Sequence, residues 1–167
     1  INEILDSSKI ESGKMEIIPQ NYQIGSLLND LYNMIRLRAK SKSLELIFDV
    51  DETMPCEYYG DDKRIRQVIL NLLTNAVKYT EKGTVTFKVS WRREGENAII
   101  TYLVKDTGIG IKPENINKIY DAFARFDESR NRNIEGTGLG MNIANQLLRL
   151  MGSELQIQSE YEKGSEF

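Results

Sequence analysis

The sequence predicts an α/β fold: a two-layer sandwich in which half-buried strands carry helices on one face. Three observations lead there. Asp62 to Thr80 form the strongest amphipathic helix of the chain. Thr84–Trp91 alternates strictly between apolar and polar residues, the pattern of a half-buried strand, and Ala98–Lys105 supplies its partner across the turn 92–97. A length of 167 residues suits one compact domain with a real core.

Taken in order, the opening residues 1–14 are polar, with Ile1, Ile4, Leu5 and Ile10 on a helical stripe that Gly13 ends. This reads as the end of a longer helix. After Pro19 a second helix fits Ile24 to Lys42, with Ile24, Leu27, Leu28, Leu31, Met34 and Ile35 on one face. Leu44–Val50 is a strand, and residues 51–60 read as a loop holding Pro55 and Gly60. Asp61 or Asp62 caps the strong helix, whose face is Ile65, Val68, Ile69, Leu72, Leu73, Ala76 and Val77. Gly83 ends that segment. Val85, Phe87, Val89 and Trp91 then form the apolar face of the first hairpin strand. A short helix begins near Pro113, residues 124–136 are polar and unpatterned, and helical spacing returns over Met141–Met151. Leu155 and Ile157 mark a last strand.

Composition narrows the function. With 22 Lys+Arg against 25 Asp+Glu the net charge is −3, which provides no broad positive field and excludes nucleic-acid binding by charge alone. No apolar run reaches the roughly 18 residues of a membrane span. The chain contains no histidine, so it holds no Ser-His-Asp or Cys-His machinery and no His-ligated zinc. Histidine chemistry must use a residue outside it. The single cysteine, Cys56, fits a reducing compartment. The chain opens without Met and reads as part of a longer protein.

Two glycine clusters and one helix face can carry chemistry. Gly136-Thr137-Gly138-Leu139-Gly140 precedes the Met141 helix, where bare backbone N–H groups and the helix dipole favour an anion. Alone, it reads equally as a flexible turn. It is no dinucleotide fingerprint, since Met141 occupies the final glycine position, and no P-loop sequence occurs. In Asp106-Thr107-Gly108-Ile109-Gly110 a carboxylate follows the apolar strand Ile99–Val104. Partly buried there, Asp106 needs a donor, and the amino group of a base would serve. Taken alone, it reads more simply as an Asp capping a turn, with Gly108 and Gly110 at positive φ. Asn71, Asn75 and Lys78, at i, i+4 and i+7, fall within an arc of about 60° beside the apolar helix face. Asn oxygens can ligate Mg²⁺, and Lys is a point charge for phosphate. The plain alternative is a solvated face, weakened by the poor helix propensity of Asn.

The order of these features is specific. RIRQVILNLLTNAVKYT (64–80), DTGIGI (106–111), AFARFD (122–127), EGTGLGM (135–141) and KGSEF (163–167) resemble the N box, first glycine box, F box, second glycine box and last glycine box of sensor histidine kinase catalytic domains. That family shares its superfamily with DNA gyrase and the heat-shock chaperone ATPases. The resemblance implies a mixed sheet covered on one face by three main helices. It implies an ATP-binding catalytic domain over 17–167, preceded over 1–16 by the end of a dimerization helix and a linker. Asn75 would hold Mg²⁺, with Asn71 beside metal and phosphates as the catalytic position. Lys78 would touch phosphate, and Tyr79 would line the pocket. Asp106 would accept from the adenine amino group, Gly108 and Gly110 would bring backbone near the base, and Ile119 would pack on its side. Arg125 and Arg130, in an ATP lid over 124–136, would reach phosphates, and Phe123 and Phe126 would anchor that lid. Thr137, Gly138, Leu139 and Gly140 would form the phosphate-side turn.

The activity so implied is transfer of the γ-phosphate of Mg-ATP to a histidine on a dimerization domain, for relay to the aspartate of a response-regulator receiver. The parent would be a homodimer and this domain cytoplasmic, with membrane anchoring of the parent left open. Two alternatives are a nucleotide-holding module without transfer and an ATP hydrolase of the gyrase type. Intact motifs speak against the first. Asn71 speaks against the second, because those hydrolases place a water-activating Glu there. Two departures stand out: Glu162 occupies a position often glycine in the family, and the chain stops at Phe167, where a further strand is usual.

Overall fold

A computed structural model describes residues 2–122 and 137–167. The elements are α1 (Asn2–Glu11), β1 (Gln20–Gln23), α2 (Ile24–Ser41), β2 (Glu45–Val50), β3 (Glu57–Gly60), α3 (Asp62–Tyr79), β4 (Thr84–Glu94), β5 (Asn97–Asp106), α4 (Pro113–Ile116), α5 (Gly140–Leu150), β6 (Gln158–Glu160) and β7 (Gly164–Glu166). Five strands form a mixed sheet in the order β2-β4-β5-β7-β6. β2 runs parallel to β4, and the remaining neighbours are antiparallel. This is the expected two-layer sandwich.

Periodicity explains its layers. Val85, Phe87, Val89 and Val104 are fully buried on the inner sheet face against α2 and α3. α3 is closed at its start by Asp61, whose Oδ1 accepts from Arg64 N at 3.1 Å and whose Oδ2 accepts from Ile18 N at 2.8 Å. It turns Ile69, Leu72, Leu73, Ala76 and Val77 into the main core. Val68 joins a second cluster with Leu139, Ile143, Ala144, Leu147 and Met15, which seats α5 on α3. α1 docks on the same pair: Asp6 accepts from Gln67 Nε2 at 2.8 Å and lies 3.5 Å from Arg64.

Four local expectations are corrected. Met34 is 49% exposed, because the buried arc of α2 runs from Leu27 round to Ala39 and Met34 falls just outside it. Residues 57–60 are not loop but β3, which pairs with β1 in a separate ribbon. Both strands are polar or aromatic, and their pairing is long-range. The turn at 92–97 is tighter than expected: the hairpin continues to Glu94 and Asn97, and Gly95 takes φ +62° in the two-residue loop between them. Leu155 and Ile157 alternate without pairing; the closing strands are β6 and β7, just beyond them. Leu155 instead packs on the main core.

Candidate functional site

The site is built around α3. Asn71, Asn75, Lys78 and Tyr79 are all half-buried along it, beside its fully buried face. About 12 Å of helix axis separates Asn71 from Tyr79. Each end meets one glycine turn.

At the Asn71 end, the side-chain Nδ2 donates to Gly140 O at 3.1 Å. Gly140 opens α5, and Gly138 before it takes φ +75°, a conformation glycine adopts without strain. Leu139 is buried in the second cluster, so its side chain anchors the turn and leaves only backbone for a ligand. Its N–H donates to Thr137 Oγ1 at 3.2 Å, and the Thr137 hydroxyl donates in turn to the Glu3 carboxylate of α1. The tertiary fold thus brings Asn71, Thr137, Gly138, Leu139 and Gly140 together at the start of an eleven-residue helix.

At the Tyr79 end, Asp106 closes β5 and is 5% exposed. Its Oδ1 accepts from Gly108 N at 2.9 Å, so Asp106 does cap the turn that follows it. A backbone donor from Ser165 on β7 adds to this. Burial pushes the carboxyl above its ordinary range, and the two backbone donors pull it partway back. Gly110 has the expected positive φ; Gly108 does not. A Cβ on Gly108 would stand 2.4 Å from Tyr79 O, 2.8 Å from Thr80 Oγ1 and 2.9 Å from Asp106 Oδ1. Its bareness serves close packing of the turn on the end of α3. A Cβ on Gly164 of the last glycine box would stand 2.0 Å from Asp106 O, which lets β7 pair beside the carboxylate.

Lys78 Nζ lies 4.9 Å from the centre of the Tyr79 ring. Ile119 is half-buried on the main core, and Asn142 of α5 donates to Tyr120 O at 2.7 Å, fixing the chain just after Ile119. Arg125 and Arg130, with Phe123 and Phe126, lie outside the described residues. Spacing alone did not reveal Thr80, which is fully buried beside Gly108, nor Asn142, nor Lys42 at the end of α3. Each acts through a contact between separate elements.

Among the described residues no group of three His, Cys, Asp or Glu side chains could hold a metal ion. The available donors are the amide oxygens of Asn71 and Asn75. Such a neutral set fits Mg²⁺, which keeps several waters and takes most of its charge neutralisation from substrate phosphates.

A mixed sheet under packed helices, a buried carboxylate at a strand end and two glycine turns against one Asn-bearing helix define an ATPase-type α/β sandwich. The chain belongs to the family described as histidine kinase-, DNA gyrase B-, and HSP90-like ATPase, which it matches over residues 60–167. It is 37% identical over 168 residues to hybrid signal transduction histidine kinase B of Dictyostelium discoideum, an alignment covering 100% of this chain and 8% of that protein. It is 38% identical over 168 residues to the sensor protein GacS of Pseudomonas syringae pv. syringae, covering 100% of this chain and 18% of that one. Among solved structures it resembles full-length ShkA in complex with AMPPNP, with a TM-score of 0.84 and 30% identity over 99% of this chain and 33% of that chain. The chain therefore spans a small part of the curated relatives it matches. No helix among the described residues is long and apolar enough to cross a membrane.

Proposed function

We propose that this domain binds Mg-ATP and donates the γ-phosphate to a histidine on a dimerization domain, for relay to a response-regulator receiver. The observation that carries this reading is the buried Asp106 carboxylate, set against the last turn of the Asn-bearing helix. A carboxylate there selects adenine, whose amino group donates, over guanine, which presents a carbonyl at the same position. Gly108, Gly110 and Ile119 belong to the adenine end, with Tyr79 lining it.

The phosphates run along α3 toward Gly140. Lys78 meets them as a point charge, and Thr137, Gly138 and Gly140 offer backbone N–H groups at the start of α5, with Leu139, whose own N–H holds Thr137 Oγ1, anchoring that turn. Asn75 would hold Mg²⁺, with Asn71 beside it, and the ion would supply neutralisation of developing phosphate charge. Arg125 and Arg130 are assigned to the phosphates as well. Catalysis then rests on positioning and charge rather than on a base, since Asn71 cannot activate water. The accepting histidine lies outside this histidine-free chain.

Residues 1–16 are assigned as the end of the dimerization helix with its linker, and 17–167 as the catalytic domain of a cytoplasmic kinase region in a homodimeric parent. Titration calorimetry with Mg-ATP, followed by transfer of radiolabelled phosphate to a separately supplied histidine-bearing helix domain, tests the whole reading. Phosphate release to water without transfer would turn it into a hydrolase. No heat at millimolar nucleotide would end it.

A further inference from the structure

Every α-helix leaves its last four carbonyls without intrahelical partners. In α3 they belong to Ala76, Val77, Lys78 and Tyr79, so the unpaired turn carries two of the residues assigned to the nucleotide. All four are nonetheless satisfied. The Thr80 hydroxyl donates to Ala76 O at 2.7 Å. The Lys42 ammonium donates to Val77 O at 2.7 Å and to Lys78 O at 3.0 Å. The Ile109 N–H donates to Tyr79 O at 3.2 Å.

Two of these four closures come from one side chain of another helix. Lys42 is the C-cap residue of α2; its own N–H returns to Ala39 O and Lys40 O, and Ser43 after it takes φ +55° to turn the chain into β2. The ammonium also sits at the negative end of the α3 dipole. It is half-buried, unlike the exposed Lys40 nearby, and burial lowers its pKa against the opposing pull of Glu81. A desolvated ammonium is stable only where acceptors replace its water, and here two carbonyls do.

We propose that Lys42 is a positioning residue for nucleotide binding: closing the Val77 and Lys78 carbonyls holds the turn of α3 from which the Lys78 and Tyr79 side chains project. It touches no ligand itself. Without it the last turn frays, and the Tyr79–Ile109 link carries the disturbance into the glycine turn after Asp106. The inference rests on the nucleotide reading of the site.

The test is titration calorimetry of the full chain with Mg-ATP, beside amide hydrogen exchange at Ile109. Lys42→Met is expected to weaken Mg-ATP binding about tenfold, equivalent to about 1.4 kcal/mol. Exchange at Ile109 should quicken in the same variant. Lys40→Met removes an equal charge without touching α3 and should match wild type in both readouts. Lys42→Arg, which keeps two donors, should bind within about threefold of wild type, well under the 1.4 kcal/mol of a tenfold change. Should Lys42→Met not fold, as judged by circular dichroism, Lys42→Gln takes its place. A folded Lys42→Met, or Lys42→Gln in its place, that binds like wild type overturns the proposal, as does Lys40→Met losing as much or Lys42→Arg binding as weakly as Lys42→Met. A wild-type chain that takes up no nucleotide overturns the reading of the site itself, a distinguishable result.

Discussion

A Cβ on Gly110 would stand 2.1 Å from the carbonyl oxygen of Glu160, so the turn after Asp106 and the closing hairpin meet backbone to backbone. Gly110 also takes φ +65°. Gly110→Ala therefore meets two costs, a left-handed residue and a clash with rigid main chain. It should destabilise the chain by about 2–4 kcal/mol. Urea unfolding reads this directly, and an unchanged midpoint would mean the hairpin yields freely.

Asp106 ties stability to pH. Because burial raises its folded pKa, the native chain holds this proton more tightly than the unfolded chain. The ionised form thus costs stability: nothing below the unfolded pKa, more as pH rises, and the full amount above the folded pKa. Asp106→Asn removes that cost while still accepting from Gly108 N. The stability difference between variant and wild type should widen in favour of the variant from about pH 4 toward neutrality. The variant should also lose ATP-dependent thermal stabilisation, and wild-type ATP binding in it would remove Asp106 as the adenine acceptor.

Asn75 separates metal from fold. Half-buried on α3, it can become Ala with stability within about 0.7 kcal/mol, since Ala is the better helix former. Asn75→Ala should cancel the gain in ATP affinity that Mg²⁺ brings, leaving affinity in chelator unchanged. Calorimetry with and without Mg²⁺ compares the two; an intact Mg²⁺ gain would assign the ion elsewhere.

Glu162 adopts φ +66° between Tyr161 and Lys163. A non-glycine residue there costs about 1–2 kcal/mol. Glycine would relieve this but loses about 0.4–1 kcal/mol through a freer unfolded chain. The first effect is larger, so relief of the backbone contributes about 0.5–1 kcal/mol to the stability of Glu162→Gly, set against whatever the Glu162 side chain contributes. Thermal unfolding with the nucleotide absent measures it, and a lowered midpoint would show that contacts of the Glu162 side chain outweigh its backbone strain.

Periodicity by itself determined the three long helices, the central hairpin and their inner faces, because a repeat of 3.6 or 2 is local and each apolar stripe needs only one partner layer. It misjudged Met34, whose position at the edge of the stripe is settled by how α2 lies on the sheet. The residues proposed for the site were also legible, since Asn71, Asn75, Lys78, Asp106 and the glycines are spelled out in three short stretches. Pairings between distant segments were decided only by the tertiary structure. β1 with β3, β7 beside Asp106, Asn71 with Gly140 and Lys42 with the end of α3 leave no mark on spacing, because a hydrogen bond between remote segments depends on where the packed core brings their backbones.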